Sequence, residues 1–213
     1  MTPATSAFRE MKSVVVRFAG DSGDGMQIVG ERFTDTSVTV PNAIATFPDY
    51  PAEIRAPVGT IAGVSAFQVH FGSQTVLTPG DEPDALVAMN PAALAVHLYD
   101  LVEGGLLIVN SAAFTPENLT MAGFSTNPLD DPAVRKKYEV ISLDITGLAV
   151  EALKESSITQ REKLRTKNFF ALGFTYWVYG RPIEPTINYI NAKWATKLPD
   201  IAEANIRVLQ AGY

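Results

Sequence analysis

The chain has 213 residues, 46% of them hydrophobic and 19% charged, with a formal net charge of −6 and no cysteine. This length supports one sizeable core or at most two small ones, and the composition is that of a folded globular protein. The missing cysteines exclude disulfides, a thiol nucleophile and a cysteine-ligated cluster within these residues, and an acidic balance with no basic cluster argues against a nucleic-acid partner.

Residues 1–12 are polar and small, lack the apolar stretch of a signal peptide, and read as a flexible leader. No apolar run is long enough to span a bilayer, so no membrane partner is expected and the protein is expected to be cytoplasmic. A strand is predicted over 14–19, from Val14-Val15-Val16-Arg17-Phe18-Ala19. It runs into Gly20-Asp21-Ser22-Gly23-Asp24-Gly25-Met26-Gln27, and the spacing of Ile28, Val29, Arg32 and Phe33 predicts a helix over 25–36. Strand, glycine turn and helix N-terminus in that order make a ligand-binding device. Glycines let backbone approach a ligand, and the helix offers free N–H groups and the positive end of its dipole. The spacing Gly-x-x-Gly-x-Gly is neither the dinucleotide fingerprint nor a P-loop, and a plain tight turn stays open as a reading. Asp21 and Asp24 would repel a pyrophosphate. They can instead cap the helix, for which Asp24 is well placed, leave the binding to N–H groups, or recruit a cation. Gly23-Asp24-Gly25 also mimics the start of a thiamine diphosphate motif, but Asn42 sits too near to complete it, and the match is read as a decoy.

Residues 40–50 are expected to be irregular or extended, punctuated by Pro41 and Pro48. Glu53 and Arg55, between Pro51 and Pro57, would point the same way in an extended segment. Arg55 is the best anion-binding candidate; the alternative is a pair with Glu53 that pins the loop. Gly59, Thr60, Gly63 and Ser65 keep this loop slim. The alternation over 63–72 predicts a strand mostly buried on one face.

Residues 84–90 read as a short buried strand, Asn90-Pro91 as a helix start, 92–102 as a helix ended by Gly104-Gly105, and 106–110 as another buried strand. Such a crossover implies parallel strands. A further strand is expected over 138–143, then helices over 147–155, 161–179, 186–194 and 200–211, with Pro182 and Pro185 between the second and third. The fold class is therefore α/β and Rossmann-like, a mostly parallel sheet covered by helices, with a helical C-terminal third. Asn90 and Asn110 both end apolar strands and would line the crevice at the strand ends, with simple capping the alternative for Asn90. His70 and His97 have no metal-ligand partners at the right spacing and read as ordinary strand and helix-surface residues. The aromatic stripe of Phe169, Phe170, Phe174 and Trp177 beside Lys167 and Asn168 suggests core or a subunit interface.

The segment Phe47-Pro48-Asp49-Tyr50-Pro51-Ala52-Glu53-Ile54-Arg55-Ala56-Pro57-Val58-Gly59-Thr60 and its continuation to Gly72 strongly resembles the gamma domain of 2-oxoacid:ferredoxin oxidoreductases. The 2-oxoglutarate-type branch, in which that domain opens the alpha subunit, is the nearest. Gly20 to Gly25, Asp84 to Asn90 and Lys167-Asn168-Phe169-Phe170-Ala171-Leu172-Gly173 match it too, so the resemblance covers residues 13–213. It implies oxidative decarboxylation of a 2-oxoacid on thiamine diphosphate with magnesium, electron transfer through iron–sulfur clusters to ferredoxin, and release of an acyl-coenzyme A. It places thiamine and clusters on partner alpha and beta parts and gives this domain a share in coenzyme A binding, through Gly20, Ser22, Gly23, Gly25, Gln27, Arg55, Asn90 and Asn110. No residue here would be catalytic, and this chain alone is expected to be inactive. The sequence departs from the fused branch by stopping about where the gamma domain ends, as an excised domain or a split subunit would. A structural brace and a stand-alone nucleotide-binding protein remain as alternatives.

Overall fold

The computed structural model describes residues 11–41, 43–53 and 56–213. Its centre is a six-stranded sheet: β1 Ser13–Asp21, β2 Ala43–Asp49, β3 Val64–Gly72, β4 Ala85–Ala88, β5 Leu106–Asn110 and β6 Glu139–Leu143. The spatial order is β2-β3-β1-β4-β5-β6. The pairs β1–β4, β4–β5 and β5–β6 are parallel, whereas β3 runs antiparallel to both β1 and β2. The sheet is thus mixed but mostly parallel, and β3 alone runs against the rest. Within the segment expected to be irregular or extended, β2 is an edge strand, which tolerates Pro48 because one side of its backbone needs no ladder partner.

Two helical layers cover the sheet. On one face α1 Met26–Ser37 packs with α5 Ile145–Ala152, α7 Lys167–Val178, α8 Glu184–Ile190 and α9 Pro199–Gly212. Their core includes Val16, Phe18, Phe67, Val69, Val87 and Ile108 from the strands. On the other face α2 Pro91–His97, α3 Pro116–Met121 and α4 Pro132–Lys137 cover Ala19, Ala66, Leu86, Ala88, Leu107 and Val109. The near-continuous apolar runs of β4 and β5 follow from this double burial. It also corrects the one-sided reading of β3, in which Phe67, Val69 and Phe71 enter one core while Val64 and Ala66 enter the other.

Local chemistry sets the boundaries. Asn90 Oδ1 accepts from the Ala93 N–H at 2.8 Å, with Pro91 in the first turn of α2. That helix stops at His97 and continues as a 3-10 turn over Leu98–Asp100, shorter than the pattern predicts. The predicted 161–179 helix divides at Thr166 into α6 Gln160–Arg165, which opens on a Thr159–Glu162 capping box, and α7. After α8 the backbone widens into a π turn over Asn191–Ala195, where Trp194 meets the Phe169 ring edge-on at 6.2 Å.

Candidate functional site

From β1 the chain turns one way, through α1 to β2 and β3; from β4 it proceeds the other way, to β5 and β6. The carboxyl ends of β1 and β4 therefore flank a topological switch point, where open α/β sheets place ligands. The glycine loop lies there. Gly20 is still within β1, and residues 22–25 form the turn into α1. Gly25 has φ 75°, a left-handed conformation that glycine adopts without strain, and it is the N-cap of α1. No side chain among the described residues caps that helix, so its first N–H groups are left without a side-chain acceptor. Of the roles open to Asp24, capping this helix is not the one it takes, because its carboxylate is drawn elsewhere.

Asp24 Oδ2 accepts from the Asp21 N–H at 3.2 Å, and Oδ1 pairs with Lys167 Nζ at 2.8 Å. Their side chains are 12% and 25% exposed, so the pair is shielded enough to count. It joins the glycine loop to the start of α7. Asp21 is buried and its Oδ1 accepts from the Gly59 N–H at 3.0 Å, which ties the loop to residues 56–63. Burial pushes the Asp21 carboxyl up from its ordinary value. The Gly59 N–H and Lys167 oppose this, while Asp24 reinforces it. Between the two loops lies a cavity of about 210 Å³ lined by Asp21, Ser22, Gly23, Asp24, Ala56, Val58 and Gly63. Nothing lies within 4 Å of where a Gly23 side chain would start.

The other predicted site residues divide. Ser22 and Gly23 line the cavity; the Ser22 N–H donates to the Gly63 carbonyl at 3.0 Å. Gln27 turns inward: Nε2 donates to the Asp49 carbonyl, Ser65 Oγ and the Ala66 carbonyl at 3.1, 3.0 and 2.9 Å, stitching α1 to β2 and β3. Asn90 sits at the end of β4. Its Oδ1 caps α2, and its Nδ2 is buried on the Asp21 side without a hydrogen bond of normal geometry. Asn110 is buried at the end of β5 and exchanges hydrogen bonds with Thr146, its Nδ2 donating to Thr146 Oγ1 at 2.9 Å. Arg55 lies outside the described residues.

Sequence reasoning leaves Lys167 and Asn168 without a role in this crevice, yet both shape it, and Gly59, expected only to keep its loop slim, holds Asp21 through its N–H. Asn168 Nδ2 lies 2.6 Å from where a Gly25 Cβ would stand, so α7 braces the turn. Only the shared Lys167-Asn168 motif hints at this, because 143 positions of chain separate Asp24 from Lys167. His97 likewise proves to be buried rather than a helix-surface residue. Its Nδ1 lies 3.0 Å from Arg17 Nη1, and Arg17 also pairs with Asp100. Arginine only donates, so Nδ1 accepts and the hydrogen sits on Nε2. Burial, then Arg17, holds the imidazole below its usual value.

A glycine loop, a helix N-terminus with no side-chain cap and a small cavity at the switch point of an open sheet mark a candidate ligand crevice in an α/β domain. A model of the family "pyruvate ferredoxin/flavodoxin oxidoreductase" matches residues 15–213, and the chain belongs to that family. It is 48% identical over 205 residues to the 2-oxoglutarate oxidoreductase subunit KorA of Mycobacterium tuberculosis, covering 96% of this chain and 31% of that protein. It is 24% identical over 162 residues to the ketoisovalerate oxidoreductase subunit VorA of Methanothermobacter thermautotrophicus, covering 69% and 32%. The chain thus spans about a third of the length of these curated relatives.

Among solved structures, the 2-oxoglutarate:ferredoxin oxidoreductase of Magnetococcus marinus, with 2-oxoglutarate, coenzyme A and succinyl-CoA bound, superposes with a TM-score of 0.73 at 20% identity, covering 95% of this chain and 31% of that one. The pyruvate oxidoreductase subunit PORC of Thermotoga maritima gives 0.63 at 20% identity, covering 95% and 96%. At these identities the superpositions show a shared fold.

Proposed function

We propose that this chain is the gamma domain of a thiamine diphosphate-dependent 2-oxoacid:ferredoxin oxidoreductase, with 2-oxoglutarate as the 2-oxoacid, and that it helps bind coenzyme A in the switch-point crevice. The observation that carries the reading is the 48% identity across 96% of the chain to a 2-oxoglutarate oxidoreductase subunit. The Magnetococcus marinus enzyme, which shares the fold and holds coenzyme A and succinyl-CoA, supports the choice of ligand. The partners are the thiamine-binding alpha and beta parts of the complex, with ferredoxin served through their iron–sulfur cluster.

Thiamine diphosphate with its magnesium does not fit this chain, because the Asp24 carboxylate that would ligate the metal is held by Lys167. On a partner domain the cofactor supplies the decarboxylation chemistry. This chain's residues bind and orient. The N–H groups at the start of α1, which no side chain caps, donate to a negative group, and the slim loops at Gly23 and Gly63 let a narrow chain lie between them. Asp21 and Asp24 disfavour a pyrophosphate in the cavity itself, so the phosphates lie toward the start of α1 rather than between the two carboxylates.

A second reading, the structural brace, is favoured by Gln27 and Asn110, whose amide groups are engaged inside the fold. Calorimetric titration separates the two. Coenzyme A, with acetyl-coenzyme A and NAD as controls, is titrated into this chain and into its assembly with the partner subunits. Gly23→Val fills the cavity from a position with open space, so the variant folds. Selective coenzyme A binding that Gly23→Val or Arg55→Ala abolishes supports the proposal. Absence of binding in both forms assigns the domain to bracing.

A further inference from the structure

A large cavity lies at the opposite end of the sheet from the switch point. It has a volume of about 570 Å³, within the range of small-molecule sites. The amino ends of β1, β4, β5 and β6 border it, and Val14, Phe71, Leu106 and Val178 supply apolar wall. Arg181, on the turn after α7, supplies the positive charge. Its guanidinium stacks over the Phe71 ring at 4.7 Å, a second wall of the same cavity. No carboxylate among the described residues forms an ion pair with it, and its Nε is sealed from solvent without an acceptor. Burial holds this guanidinium below its usual value, with no neighbouring anion offsetting the cost. A half-buried arginine left in this state favours a carboxylate, whose two oxygens match its planar fork.

The rest of the lining narrows the ligand. Asp84, Glu103 and Glu139 also border the cavity. Asp84 is engaged, its Oδ2 accepting from the Val15 N–H at 2.8 Å, and the two glutamates are exposed at the mouth. A diphosphate or a dicarboxylate would set its second charge against these acids. A single carboxylate reaches Arg181 while its apolar body lies on Val14, Phe71 and Leu106.

We infer that this cavity is a second binding site, separate from the switch-point crevice, for a small monocarboxylate with an apolar chain, and that Arg181 is its carboxylate receptor. The probes are hexanoate, its neutral isostere hexanamide, and succinate as a dianion. Each is titrated into the isotopically labelled full chain while the backbone signals of Val14, Leu106 and Val178 and the Arg181 Nε–H signal are followed by NMR. Hexanoate is expected to shift these signals saturably, with both hexanamide and succinate weaker by about tenfold or more. Arg181→Gln should abolish the preference for hexanoate over hexanamide. Arg181→Lys, which keeps the charge but loses the planar fork, should weaken it. Equal binding of hexanoate and hexanamide to the unaltered protein would overturn the inference without recourse to any variant. So would unsaturable shifts, or shifts confined to residues 20–25.

Discussion

The ion pair between Asp24 and Lys167 decides the character of the glycine loop. The Asp21 and Asp24 carboxylates repel one another, and the lysine, 143 positions further along the chain, neutralises one of them. Lys167→Met should leave Asp24 shielded beside Asp21 without its counter-charge and destabilise the fold by about 1–3 kcal/mol. Urea unfolding measures this. The double variant with Asp24→Asn should recover much of the loss, because the orphaned charge is then gone; a purely additive cycle would show that the pair matters little. Asn90→Ala tests a different contribution. It removes the α2 cap at 2.8 Å and should cost about 0.5–2 kcal/mol, whereas Asn90→Asp keeps the acceptor and sets a new charge beside Asp21.

At the scale of elements, α7 and α9 meet backbone to backbone. A Cβ on Gly173 would fall on the Leu209 carbonyl oxygen, and one on Gly212 on the Phe170 carbonyl oxygen, both far inside van der Waals contact. Backbone cannot yield as a side chain can. Gly173→Ala and Gly212→Ala should therefore each destabilise by about 1–3 kcal/mol or more through forced separation of the helices, read as a lowered thermal midpoint. Alanine would be the better helix former at a free position, so an unchanged midpoint would show that the helices part easily. These two glycines also show what a single sequence conceals. Helical character over 161–179 and 200–211 is legible from apolar spacing, though not the break at Thr166, and the crossover from β4 through α2 to β5 is legible from its Asn-Pro start, though not the early end of α2 at His97. The contact between two helices is not, because periodicity says which face is buried and not what it meets. The direction of β3 is hidden for the same reason: alternation predicts a strand, while its antiparallel pairing with both β1 and β2 depends on the loops that join them. At the site, the loop and the strand-end asparagines are visible as motifs. The inward turn of Gln27 and the reach of Lys167 arise only when distant elements meet.

For the molecule as a whole, two buried titratable groups, Asp21 and His97, give stability opposite dependences on pH. Asp21 lies at the crevice, with its carboxyl raised above 3.8 by burial and by Asp24, against the pull of Gly59, Lys167 and Asn90. The folded form holds its proton longer than the unfolded form, so the Asp21 contribution weakens as pH rises from the ordinary carboxylate value through the raised one, and is level above it. His97 sits between α2 and β1, its imidazole lowered below 6.5 by burial and Arg17, with Asp100 and Asp49 pulling the other way. Its contribution is fully present above 6.5 and is lost as pH falls through that value toward the lower folded one. The variants separate the two. In chemical unfolding followed across pH, Asp21→Asn should gain on the unaltered protein as pH rises from the carboxylate range, since Asn still accepts from the Gly59 N–H. His97→Gln should remove the fall in stability below 6.5 while lowering the plateau above it, because the buried Arg17 contact is weakened. NMR of the His97 ring offers an independent check: a neutral imidazole with hydrogen on Nε2 at pH 6.5 agrees with the Arg17 geometry, and a charged ring there would show that Asp100 governs the cluster instead.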